Sequence, residues 1–119
     1  MRVYIPLNKE GIKELEACVE EETNNMKIIE FSAEDYFYLE TKKYLDFLNV
    51  ECEVLIDLYE DENIPNDKLN NAIEITRILR DNSSEERFVY LANKFIDIFK
   101  LAKKCNTYVN IYCYGDPNV

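Results

Sequence analysis

Residues 49–63 read NVECEVLIDLYEDEN, and the reading of this run decides the fold. From Cys52 onward the residues alternate. Cys52, Val54, Ile56 and Leu58 line one face of an extended chain, and Glu53, Leu55, Asp57 and Tyr59 line the other, which is the period of a strand with one buried face. Its exit is acidic, because Asp57, Glu60, Asp61 and Glu62 follow closely and Pro65 then ends strand pairing. The expectation is a central strand that delivers four carboxylates, with Tyr59 among them, to a rim.

Upstream, residues 2–7 (RVYIPL) read as a short opening strand with Val3 and Ile5 on one side and Pro6 at an edge. Asn8 caps a helix whose Ile12, Leu15, Cys18 and Val19 form an apolar stripe. Glu20, Glu21 and Glu22 sit at the negative end of its dipole, either as a solvated helix end or for function, and Thr23, Asn24 and Asn25 stop it. Residues 26–31 (MKIIEF) have strand composition, and Ser32 with Asp35 makes a capping arrangement. Residues 33–48 read as a helix carrying Phe37, Tyr44, Leu45 and Leu48 on one side. A break near Thr41, or a short strand before a shorter helix, is the alternative.

Downstream, Asn66 or Asp67 caps a helix with Leu69, Ala72, Ile73, Thr76 and Leu79 at helical spacing. After a polar turn at residues 81–84, Ser83 and Glu86 form a capping box. They open the strongest helix in the chain, where Phe88, Leu91, Ala92, Phe95, Ile98, Phe99 and Ala102 keep a near-heptad repeat. The two helices should form an antiparallel hairpin across a loop of about four residues. Asn106 suits a left-handed stop, and TYVNIYCYG follows as a strand. Thr107, Val109, Ile111 and Cys113 share one face; Tyr108, Asn110, Tyr112 and Tyr114 share the other. That tyrosine ladder either closes the sheet or offers an aromatic platform for recognition.

The element order βαβαβααβ predicts a single α/β domain over residues 1–119, with helices packed on a mixed sheet of about four strands. The two single-helix connections favour parallel neighbours, while the two-helix connection makes the last strand antiparallel to the central one. With 119 residues and 47% apolar content, the chain can build a core without disulfides or structural metal.

The net charge of −10 is concentrated in the first half. Residues 1–63 hold 17 acids and 6 bases, and residues 64–119 hold 7 acids and 8 bases. Such a field repels nucleic acid and anionic membrane and favours basic partners, although an acidic solubility coat explains the charge equally well. Cys18, Cys52, Cys105 and Cys113 show no CxxC spacing, each sits in an apolar pattern, and they read as buried, reduced thiols. With no signal-peptide pattern and no membrane-length apolar run, the expected location is cytoplasmic.

Chemistry is tested and mostly set aside. His and Trp are absent, which removes the commonest general base and metal ligand. An EF-hand reading starting at Asp57 fails at Tyr59, Glu62 and Lys68. A two-metal nuclease reading of Asp57, Glu60 and Glu62 lacks a companion Lys or His. Gly11 and Gly115 are isolated, so no phosphate cradle exists, and Ser32, Ser83 and Ser84 read as caps and turn residues. No catalytic residue, metal or cofactor is expected. Binding is what survives.

The run FLNVECEVLIDLYEDENI at residues 47–64, followed by the amphipathic helix pair and the aromatic strand, resembles small acidic proteins encoded beside bacterial polymorphic toxins. These are immunity proteins of the contact-dependent growth inhibition type. The resemblance covers residues 47–64 in pattern and the rest in size, charge and class. It implies an inhibitor, not an enzyme, that neutralises a cognate basic toxin domain, often a nuclease. The acidic rim of Asp57, Glu60, Asp61 and Glu62 would imitate a phosphate backbone, with Tyr59, Tyr108, Tyr112 and Tyr114 as anchors. The alternative is an acidic adaptor or regulator without a toxin partner, paired as a homodimer through the tyrosine strand.

Overall fold

The computed structural model describes residues 1–113. Among these, four strands and five α-helices follow one another as β1 (Arg2–Pro6), α1 (Lys9–Glu16), β2 (Met26–Glu30), α2 (Ala33–Thr41), α3 (Tyr44–Cys52), β3 (Glu62–Ile64), α4 (Leu69–Asp81), α5 (Glu86–Lys104) and β4 (Val109–Tyr112). A 3₁₀ turn, Asn66–Lys68, precedes α4. The fold is α/β with helices packed on a four-stranded sheet of order β2-β1-β4-β3. Every pairing is antiparallel, with Val3 opposite both Ile29 and Ile111, and Ile64 opposite Val109.

Two expectations about the sheet change here. The first is the central strand: residues 49–52 complete α3, and residues 53–61 form a loop, leaving β3 as a three-residue edge strand. Tyr44, Leu48 and Cys52 are buried at helical spacing, so Cys52 continues a helix stripe and does not begin an alternation. The helix stops because Glu53 adopts φ 55°, and the Val54 amide bonds back to the Asn49 carbonyl at 3.1 Å. A left-handed residue with a Cβ costs roughly 1–2 kcal/mol, which is why glycine usually signals such a stop.

The second change is strand direction. A parallel β1–β2 pair needs the chain to cross the sheet, but α1 spans only eight residues, and the following segment returns to the end it left. Pro6 therefore lies opposite Met26. Glu14 stitches the return by accepting bonds from Thr23 Oγ1 at 2.7 Å and Asn25 Nδ2 at 3.2 Å. At Gly11 a Cβ would lie 2.0 Å from the Asn25 carbonyl oxygen, so α1 can sit this close only with glycine there. The last strand, β4, runs antiparallel to the edge strand β3, since the central strand expected as its neighbour does not form.

The expected helix over residues 33–48 is two helices, α2 and α3, broken after Thr41 at Lys43, which has φ 58°. The first helix ends earlier than its stripe suggests, at Glu16, with Cys18 at φ 61° and exposed; of the four thiols expected to be buried, Cys52 and Cys113 are, and Cys105 is half-buried at the end of α5. Neither Asn66 nor Asp67 caps α4; the Asn66 side chain instead donates to the Thr107 carbonyl at 2.8 Å. Asn8, Ser32 and Asn106 act as expected: the first two accept from Gly11 N and Asp35 N, and Asn106 has φ 57°. Ser83 accepts from Glu85 N at 3.1 Å, one position short of a capping box.

One face of the sheet carries Val3, Ile5, Ile64, Val109 and Ile111, all fully buried against the helices. Phe95 of α5 stacks on Phe31 with ring centroids 4.7 Å apart and leans on Tyr44 and Phe99. The Tyr44 hydroxyl is satisfied inside this core by Thr76 Oγ1 at 2.7 Å. The other face carries Tyr4, Asn110 and Tyr112 and is only partly covered, by α1. Both outer strands have an outward amide held by a glutamate: Ile28 N donates to Glu22 at 3.0 Å, and Asn63 N to the Glu62 carboxylate at 3.1 Å.

Candidate docking site

The loop 53–61 is fixed by its own polar side chains. Ile56 inserts into the core at 5% exposure, and Asn49 clamps its backbone on both sides, accepting from Ile56 N at 2.7 Å and donating to Ile56 O at 3.1 Å. Asp57 Oδ1 accepts from Tyr59 N at 2.8 Å and Glu60 N at 3.1 Å, which makes the tip an Asx-type turn. Glu62 reaches back to Leu55 N at 3.0 Å.

This arrangement ties the Asp57 and Glu62 carboxylates to the loop's own amides and leaves three apolar side chains facing water beside them. Tyr59 is 90% exposed, Leu55 76% and Leu58 41%. Single exposed apolar residues are ordinary, but three on one short, internally tied loop make a projecting apolar tip in an acidic setting. Of the four rim carboxylates, only Glu60 is unengaged by the loop's hydrogen bonds and by the sheet. Asp57 and Glu62 hold the backbone, and Asp61 accepts from Asn110 Nδ2 at 2.8 Å.

Asp61 joins the loop to the sheet face that α1 partly covers. Asn110, buried within β4, donates there both to Asp61 and to Asn63 Oδ1 at 2.8 Å. Tyr112 is 44% exposed on that face. Tyr108 is half-buried; burial, and then the charges of Glu16 and Asp61, push its hydroxyl pKa above the ordinary tyrosine value. The expected tyrosine ladder is thus a Tyr–Asn–Tyr row over these residues, and Tyr114 lies outside the described residues.

Sequence reasoning passed over Leu55 and Leu58 as docking residues, having placed Leu58 on a buried strand face. It also passed over Asn49, whose clamp is visible only once residues 49 and 56 lie side by side. Among the described residues no three His, Cys, Asp or Glu side chains gather to hold a metal ion, and no helix is long and apolar enough to cross a membrane. No protein-family model, curated protein or solved structure matches this chain.

Proposed function

We propose that this chain is an inhibitory binding protein of the immunity type, which docks its acidic loop onto a basic toxin domain and blocks it, a nuclease being the toxin class that best fits the charge. The observation that carries the reading is the inverted loop: Tyr59 and Leu55 project into water while Asp57 and Glu62 are spent on holding the backbone. A tip tied down before binding loses little conformational freedom on docking. Tyrosine is also among the residues that most often carry interface energy.

The surrounding charge supplies the other half. A net charge of −10 steers a basic partner toward this surface and raises the encounter rate by roughly 10- to 1,000-fold at low salt. Neutralising a toxin needs occlusion of its basic site, and that asks for no catalytic group here. The test is binding kinetics against a basic toxin domain, taken from the neighbouring gene where that gene encodes one, together with rescue of cells expressing it. Tyr59→Ala should raise the dissociation rate by about tenfold or more, equivalent to about 1.4 kcal/mol. Unchanged kinetics and full rescue by Tyr59→Ala would sink the loop as the docking site. A protein that binds no toxin and sediments as a dimer would instead support the adaptor reading.

A further inference from the structure

Beside the loop, where α1 stops short of β4, the exposed sheet face opens into a cleft of about 170 Å³. Tyr4 and Tyr112 supply aromatic surface, Leu15 and Val19 an apolar wall, and Glu20 and Asp61 two carboxylates. We infer that this cleft is the socket for one arginine or lysine side chain of the basic partner. This deepens the docking reading above and rests on it.

Four observations converge on a cationic side chain. The volume lies below the about 300–1,000 Å³ typical of small-molecule sites and suits a single residue. Glu20, Asp61 and the neighbouring Glu16 make no ion pair with any described residue, while Arg2, which lies beside Glu20, pairs with Glu30. Asp61 is aimed by the buried Asn110 amide at 2.8 Å and so is held in place before any partner arrives. The chain itself shows the geometry that this face accepts: the Arg2 guanidinium lies 5.4 Å from the centre of the Tyr4 ring and donates to the Tyr4 hydroxyl at 3.1 Å and the Glu20 carbonyl at 3.0 Å. That internal cation is balanced by Glu30 at 3.5 Å, which leaves Glu20 and Asp61 for an external one.

An aromatic ring flanked by carboxylates attracts a cation through the ring quadrupole and through charge at once. Because Asp61 belongs to both the loop and the cleft, a partner seated on Tyr59 has its next basic side chain within reach of the socket. The loop then supplies the apolar anchor, and the cleft reads charge.

The test needs no toxin. Nα-acetyl-arginine methylamide is titrated into the isotope-labelled full chain, with Nα-acetyl-citrulline methylamide as the neutral isostere. One readout is the Asn110 side-chain amide resonance. The other is the alkylation rate of Cys18, which lines the cleft, against that of Cys105, which does not. The arginine probe should shift the Asn110 amide and slow Cys18 alone, and citrulline should do neither. Glu20→Gln with Asp61→Asn, which keeps an acceptor oxygen for Asn110, should weaken the arginine response by about tenfold. Equal responses to citrulline, an unmoved Asn110 amide, or an undiminished response in the double variant would each overturn the socket. Tyr59→Ala should leave the probe response intact, so a failed loop and a failed socket give different results.

Discussion

Along α5, eight residues from Phe88 to Ala102 are buried, whereas in the loop 53–61 Ile56 alone is buried and Leu55, Leu58 and Tyr59 face water. Both stretches are rich in apolar residues interspersed with charge. They differ in who satisfies the backbone. In α5 the helix bonds to itself, so charged side chains such as Lys100 and Lys104 are free to face solvent and the apolar ones can turn inward. In the loop the backbone depends on Asn49, Asp57 and Glu62, whose polar atoms are engaged by main-chain groups. With no regular element to turn them inward, Leu55, Leu58 and Tyr59 share the surface with the carboxylates. An apolar tip is therefore what such a loop produces when its polar side chains replace secondary structure.

This contrast predicts where mutations bite. Phe95→Ala, at the centre of the helical side, should cost about 3–5 kcal/mol in denaturant melts, because the ring is fully buried among Phe31, Tyr44 and Phe99. A loss below about 1 kcal/mol would mean that α5 is not the keystone of the core.

Alkaline pH reaches both regions, through Cys52 at the root of the loop and Cys113 after β4. Burial pushes both thiols up to about 11 from an ordinary value of 9.0. The folded chain therefore retains protons that the unfolded chain releases. This contribution to stability is fully present below the ordinary thiol value and is lost as pH rises through the folded one, between about 9 and 11. Cys52→Ala with Cys113→Ala should flatten the fall of melting temperature across that window, and an unchanged slope would refute the assignment. Under denaturing, non-reducing conditions all four thiols should titrate, since all four cysteines are free.

On the loop side the effects shrink and separate. Asn49→Ala removes both bonds to Ile56 and should cost about 1–3 kcal/mol while weakening docking, since the tip is no longer held. Glu60→Ala should leave the melting temperature unchanged and slow only the association with a basic partner, an effect that fades at high salt. If Glu60→Ala melts lower than Asn49→Ala, the division between holding and steering residues is wrong.

The helical side was legible because its signals are redundant. Phe88, Leu91, Phe95, Ile98 and Ala102 repeat over about four turns, and no alternative fits so long a run. Asn8, Ser32 and Asn106 announced their turns through side chains that favour those backbone shapes. The stretch 52–61 was misread because its decisive event is Glu53 at φ 55°, a conformation that no side chain at that position advertises. Cys18 and Lys43 hide two more helix ends in the same way, at φ 61° and φ 58°. None of the described positive-φ residues is glycine, so the punctuation that sequence reading relies on was missing at three of four such positions, only Asn106 being readable. The rim carboxylates lie on a loop and the first residue of an edge strand, not at the exit of a central strand, and their division of labour depends on the loop's course. The cleft joins residues 4, 15–20, 61 and 110–112, a grouping that exists only once the strands are in register.

The glutamates at Glu22 and Glu62 have a consequence for assembly. An open sheet edge is a template on which another chain can add a strand, and a chain with bare edges at both ends can in principle extend into a filament. Here an outward amide on each edge is occupied by a carboxylate, at Ile28 on one side and at Asn63 on the other. An incoming strand would have to displace an anion before forming its first bond. Strand addition at these two positions is disfavoured, which leaves side-chain surfaces, where recognition can be selective instead of self-propagating, as the better route to association.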